Sequence, residues 1–163
     1  MFPRQGWPAR FLLIVALVLP SCSRPAPASS TSHVEILAAP ANEDLKTSVQ
    51  REVTRAKADG RDLLVYVGAA WCEPCQYFHN AAAAGELDKV FPTLRLIEFD
   101  LDRDRDRLLQ AGYRSRMIPL FAVPRADGTG SGQQIEGSIK GAGAVDEITP
   151  KLRGLIARAR EGG

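Results

Sequence analysis

Long apolar runs, histidines and a surplus of either charge are all scarce in this 163-residue chain, and each scarcity removes a class of function. The longest wholly apolar stretch, residues 11–19, is about half of the roughly 20 residues that a membrane-spanning helix needs, so no permanent span is expected. Two histidines, His33 and His79, and three cysteines leave few metal ligands, and only His79 stands near a cysteine pair. No Gly-rich phosphate loop, Ser-His-Asp order or HExxH helix occurs, and the glycines of residues 128–132 read as turn chemistry between strands. Lys and Arg number 21 and Asp and Glu 19, and once Arg4 and Arg10 are set aside with the leader described next, the two signs balance. A balanced chain with no basic stripe lacks the clustered positive surface that phosphate backbones require, so no nucleic-acid partner is expected.

What is present begins with a leader. In residues 1–21, Arg4 and Arg10 precede the apolar stretch, which then meets Pro20 and Ser21, and this is the pattern of a secretory signal peptide. Leu19-Pro20-Ser21-Cys22 resembles the lipobox of bacterial lipoproteins, in which a peptidase cuts before a diacylated cysteine. That resemblance implies lipidation of Cys22, which also accounts for an odd cysteine count in an exported chain. An ordinary cleaved signal that leaves Cys22 free is the alternative. Several acyl chains give stable attachment where one gives only marginal binding. Residues 22–33, rich in Pro, Ala and Ser, cannot bury a core and read as a flexible tether, ten residues of which reach about 35 Å when stretched. The folded domain is assigned to residues 34–163.

Within it, Leu45, Val49, Val53 and Ala56 recur at helical spacing across residues 42–59, with Asn42 as a candidate cap and Gly60 as a stop. Residues 63–67 are continuously apolar and β-branched, as in a strand buried on both faces. A helix follows through Ala84, then a strand over 94–99 and a helix over 102–113 with Leu108 and Leu109 inward. Residues 120–123 and 134–139 read as a hairpin, and residues 145–160 as a closing amphipathic helix with Thr149 and Pro150 as candidates for its cap and first position. Strands alternating with helices predict an α/β domain with a central mixed sheet flanked by helices.

Between the buried strand and its helix stands Trp71-Cys72-Glu73-Pro74-Cys75. Two cysteines separated by two residues can close a small disulfide ring, and a first cysteine at a helix N-terminus has its thiolate stabilised by the dipole and free amides. Cys72 is the candidate nucleophile. Cys75, one turn deeper and less exposed, is the candidate resolving thiol. Pro74 suits the first helical turn, where its missing N–H costs nothing, and Trp71 flanks the sulfur and shapes a docking surface.

These residues resemble the strand and active-site loop of the thioredoxin family, and the resemblance extends over residues 34–160. Met117-Ile118-Pro119 is similar to the family's cis-proline loop, which implies a cis bond at Pro119 and backbone hydrogen bonds from Ile118 to a substrate. Gly141 is similar to a glycine near the family's active-site surface. Tyr66 stands where the family commonly has a buried acid that handles the resolving thiol's proton, which leaves Glu98 on the next strand, Glu73 inside the ring or water as substitutes. Leu120 replaces a small or hydroxyl residue, and Glu73 sets a negative charge beside the sulfur, which opposes thiolate formation.

The expectation is therefore a thiol:disulfide oxidoreductase that needs no cofactor beyond its redox-active disulfide, with reductase favoured over oxidase. Its expected substrates are protein thiols and disulfides, and its expected redox partner is a membrane electron donor or acceptor. The resemblance further implies a monomer, lipid-anchored at Cys22 in a bacterial envelope and facing the periplasm, with the outer membrane preferred because Ser23 follows the anchor cysteine. The alternatives are a metallochaperone using Cys72, Cys75 and His79, and a scaffold whose disulfide is incidental. The Asp/Arg alternation of residues 100–107 is expected to be a solvated face.

Overall fold

The computed structural model describes residues 32–162, so the leader, Cys22 and most of the tether lie outside the described residues. Nine elements follow in order: β1 (Glu35–Ala38), α1 (Leu45–Asp59), β2 (Asp62–Gly68), α2 (Glu73–Ala83), β3 (Leu94–Asp100), α3 (Leu101–Gln110), β4 (Leu120–Pro124), β5 (Gly130–Glu136) and α4 (Ala144–Glu161). The strands form one mixed sheet in the order β1-β3-β2-β4-β5, with β1, β3 and β2 parallel and β4 and β5 antiparallel to their neighbours. This is an α/β fold with a central mixed sheet flanked by helices, as the sequence predicts.

Strand periodicity divides the core. Leu64 and Tyr66 of β2 face one side, where they meet Phe78, Ile148, Leu152 and Leu155 of α2 and α4. Val65 and Val67 face the other, where Leu45, Val49 and Leu108 of α1 and α3 cover them. With both faces covered, β2 has no polar side, which explains its unalternating sequence.

Several boundaries differ from the periodicity reading. Asp44 rather than Asn42 caps α1, because its carboxylate accepts from both the amide and the hydroxyl of Thr47 at 2.9 Å. Leu109 points outward and is 44% exposed, since one step along a helix turns about 100° away from buried Leu108. β5 begins at Gly130 because the turn is tight: Gly128 N–H bonds Arg125 O and Arg125 N–H bonds Thr129 O. Thr149 and Pro150 lie within α4 rather than at its start. Proline inside a helix costs about 3 kcal/mol. Fully burying Ile148, Leu152 and Leu155 on one continuous face stabilises by about 1.5–3 kcal/mol each, so burial wins.

The Asp/Arg alternation is not simply a solvated face. Asp104 is 1% exposed and accepts from Arg103 and Arg107, and its Oδ2 also takes the Asp100 amide. Arg107 continues to the carbonyls of Glu43 and Pro40, tying α3 to the segment that enters α1.

Candidate functional site

The site forms where β2 hands over to α2. The chain leaves the sheet at Gly68, and Cys72 becomes the N-cap of α2, its sulfur accepting the Cys75 amide at 3.3 Å. Glu73 and Pro74 occupy the first turn, where an acid favours the positive helix end and proline lacks only an amide that would go unbonded. Cys72 and Cys75 form a disulfide.

Both cysteines are buried, at 4% and 3% exposure, so Cys72 is not the exposed sulfur that the sequence suggests. With the ring closed, its sulfur turns toward the start of α2. The two cysteines nevertheless open onto different clefts. Cys72 lines one of about 540 Å³ together with Trp71, Pro74, Met117, Ile118 and Lys140. Cys75 lines another, of about 370 Å³, with Tyr66, Gln76, His79, Glu98 and Arg103.

Around the Cys72 cleft, Trp71 is 63% exposed and Met117 58%, an apolar collar at the mouth. The Trp71 indole N–H donates to Asp102 Oδ2 at 2.8 Å, at the start of α3. Glu73 Oε1 accepts the Gly141 amide at 3.1 Å, so the glycine singled out in the sequence does adjoin the ring. The Ile118–Pro119 peptide is cis. Ile118 lines the cleft, whereas Pro119 is buried behind it with its carbonyl accepting the Gly137 amide at 2.8 Å.

Residues 44–123 match a family model described as thioredoxin-like. The chain carries a thioredoxin-like domain. Among solved structures, Fasciola hepatica thioredoxin is 20% identical with a TM-score of 0.49, covering 77% of this chain and 98% of that one. A poplar thioredoxin h is 24% identical with a TM-score of 0.47, covering 77% and 95%. Spinach chloroplast thioredoxin f is 18% identical with a TM-score of 0.48, covering 82% and 98%. No curated protein matches the sequence. A thioredoxin-like domain with a disulfide ring at a helix start is equipped, in general terms, for thiol–disulfide exchange.

Beside the thioredoxin-like pair the structure gathers Tyr66 and Glu98, which the sequence offered for proton handling, with His79, which it did not. His79, named above only as a possible metal ligand, donates or accepts at Nε2 with Glu98 Oε1 at 2.7 Å, and both line the Cys75 cleft. Tyr66 is wholly buried against Phe78, Phe121 and the His79 ring. Burial and the nearby Glu98 charge push its hydroxyl well above the ordinary tyrosine range, so it stays neutral. One signal was available: His79 lies four residues after Cys75 and so shares its face of α2. The pairing of Tyr66 with Glu98 across β2 and β3 depends on strand register, which spacing along the chain does not reveal. Among the described residues no group of three or more His, Cys, Asp or Glu side chains could hold a metal ion.

Proposed function

We propose that this protein is an exported thiol:disulfide reductase of the bacterial envelope, acting on disulfides in other proteins through Cys72 and Cys75. The observation that carries the reading is the ring at the start of α2, opening through Cys72 onto an apolar-collared cleft lined by Ile118. The reduced Cys72 thiolate attacks one sulfur of a client disulfide, forming a mixed disulfide and releasing the other client sulfur as a thiolate. Cys75 then attacks Cys72, the remaining client sulfur leaves with the electron pair, and the Cys72–Cys75 disulfide re-forms. Two electrons pass to the client, and a membrane donor restores them. Trp71, Pro74 and Ile118 provide the client-binding wall, with Pro119 fixing the loop behind it. No cofactor enters these steps.

Lipid at Cys22 and the tether keep the domain at the membrane surface, the outer membrane being favoured by Ser23. No helix among the described residues is long and apolar enough to cross a membrane. The deciding measurement is the equilibrium potential of the pair by glutathione titration with thiol trapping. A value near about −270 mV supports a reductase, one near about −120 mV makes it a disulfide donor, and a pair that does not cycle removes the reading altogether. In cells, Cys22→Ser should move the protein from the detergent phase to the aqueous phase, and unchanged partitioning would remove the anchor.

A further inference from the structure

A side chain on Gly68 would begin 3.1 Å from the Tyr66 hydroxyl and 3.5 Å from Cys75 Sγ. Gly68 does not have the positive φ that calls for glycine, so its missing Cβ serves to keep that space open. On one side of the space lies a buried sulfur. On the other lies a buried hydroxyl with no hydrogen-bond partner among the described residues, a state that costs about 1–3 kcal/mol and that phenylalanine would avoid. The same cleft continues to the His79–Glu98 pair, with the imidazole ring centred 5.5 Å from the Tyr66 ring. Sulfur, phenol, imidazole and carboxylate thus line one wall, on a cleft separate from the one where Cys72 would meet a client.

We propose that the His79–Glu98 pair, reached along the cleft beside Tyr66, is the proton acceptor for Cys75 when that residue attacks the mixed disulfide. This rests on the exchange reading given above. In the step, the Cys75 S–H proton passes through cleft water to the pair, and Cys75 Sγ forms its bond to Cys72 Sγ. The bond from Cys72 to the client sulfur breaks, and the client thiolate departs with the electron pair. The proton returns to solvent through the open cleft mouth. Tyr66, held neutral, orients the water by its hydroxyl.

The other charged groups facing the cleft are committed elsewhere. Asp100 Oδ1 caps the amides of Asp102 and Arg103 at the start of α3, and the Arg103 guanidinium is bonded to Asp104. α2 adds neutral Gln76 and Asn80, and β1 adds Ala38. Glu73, the other acid available on sequence grounds, lines the Cys72 cleft and bonds Gly141, on the wrong side for Cys75.

The test uses the full chain with Cys22→Ser, so that only the pair reacts. After reduction it is mixed in stopped flow with a nitroaromatic disulfide, whose coloured thiolate is released once by Cys72 attack and again by Cys75 resolution. His79→Gln and Glu98→Gln should leave the first phase within about twofold and slow the second about tenfold, less than the usual 10²–10⁴ for positioned proton transfer because a thiol also ionises unaided. In both variants the second phase should become proportional to hydroxide across the neutral range. Gly68→Ala, which places a methyl in the gap, should slow the second phase alone. A second phase unchanged in both His79 and Glu98 variants, or both phases slowed alike, overturns the proposal. Absence of the first phase in the otherwise unaltered protein would instead defeat the exchange reading.

Discussion

Gly128→Ala and Gly132→Ala form a matched pair that tests how the β4–β5 hairpin is seated. Both glycines have left-handed backbones, at φ +80 and +86, so each alanine carries a conformational cost of about 1–2 kcal/mol. They differ in what a Cβ would meet. At Gly132 nothing lies within 4 Å. At Gly128 the Cβ would sit 2.2 Å from Lys46 O and 2.9 Å from Lys46 C, against backbone in the first turn of α1. The hairpin tip must then lift away from α1, at about 1–3 kcal/mol for overpacking. It also loses the bond from the Tyr113 hydroxyl to Gly128 O, 2.9 Å long and worth about 1 kcal/mol. The expected losses are therefore about 4 kcal/mol for Gly128→Ala and about 1 kcal/mol for Gly132→Ala. For a domain of this size a kilocalorie corresponds to roughly 3 °C, giving falls in Tm of about 12 °C and about 3 °C. Circular dichroism melts and urea titrations measure both. Equal losses in the two variants would show that the tip does not rest on Lys46, and the seating argument would fail.

Asp104→Asn should cost about 2 kcal/mol at neutral pH, less than the 3–5 kcal/mol of a fully buried pair because Arg103 and Arg107 keep 46% and 24% of their side chains in solvent. Burial pushes the Asp104 carboxyl up, but hydrogen bonds from Arg103 and Arg107 outweigh it and hold it below the usual carboxylate range. Its contribution is therefore present above the unfolded value near about 3.9 and lost as pH falls through the lower folded value, so the curves of wild type and variant should converge in acid. Parallel urea curves down to strong acid would refute that. Trp71→Ala, at an exposed collar position, should raise KM several-fold for a folded protein disulfide, leave turnover of a small disulfide unchanged, and move Tm by less than about 2 °C; equal effects on both substrates would remove Trp71 from client docking.

Which parts of the molecule the sequence disclosed follows from the range of the forces involved. The β2 run and the cysteine spacing are local, and burial of β2 on both faces writes an unbroken apolar stretch that periodicity reads directly. The start of α1 is less legible, since Asn42 and Asp44 are both chemically able to cap and only the turn geometry selects Asp44. Pro150 misleads because its local preference is overruled by three distant contacts of α4 with the sheet. The pair His79–Glu98 was hidden for the same reason: 19 residues separate the partners, and their meeting depends on how α2 is seated on the sheet. Asp104 shows the reverse error, in which a sequence rich in alternating charges conceals one carboxylate that tertiary structure buries.

The two residues flanking Cys72 are each secured from outside the ring, Trp71 to Asp102 and Glu73 to the Gly141 amide. Neither bond involves sulfur, so opening the disulfide releases neither neighbour. Under the exchange reading a partner is therefore expected to meet the same mount whether the pair holds its electrons or has given them up, with little of the free energy of exchange spent on reshaping the protein. Donor and client must then be told apart by the state of the sulfur itself, which allows one face to serve both in turn.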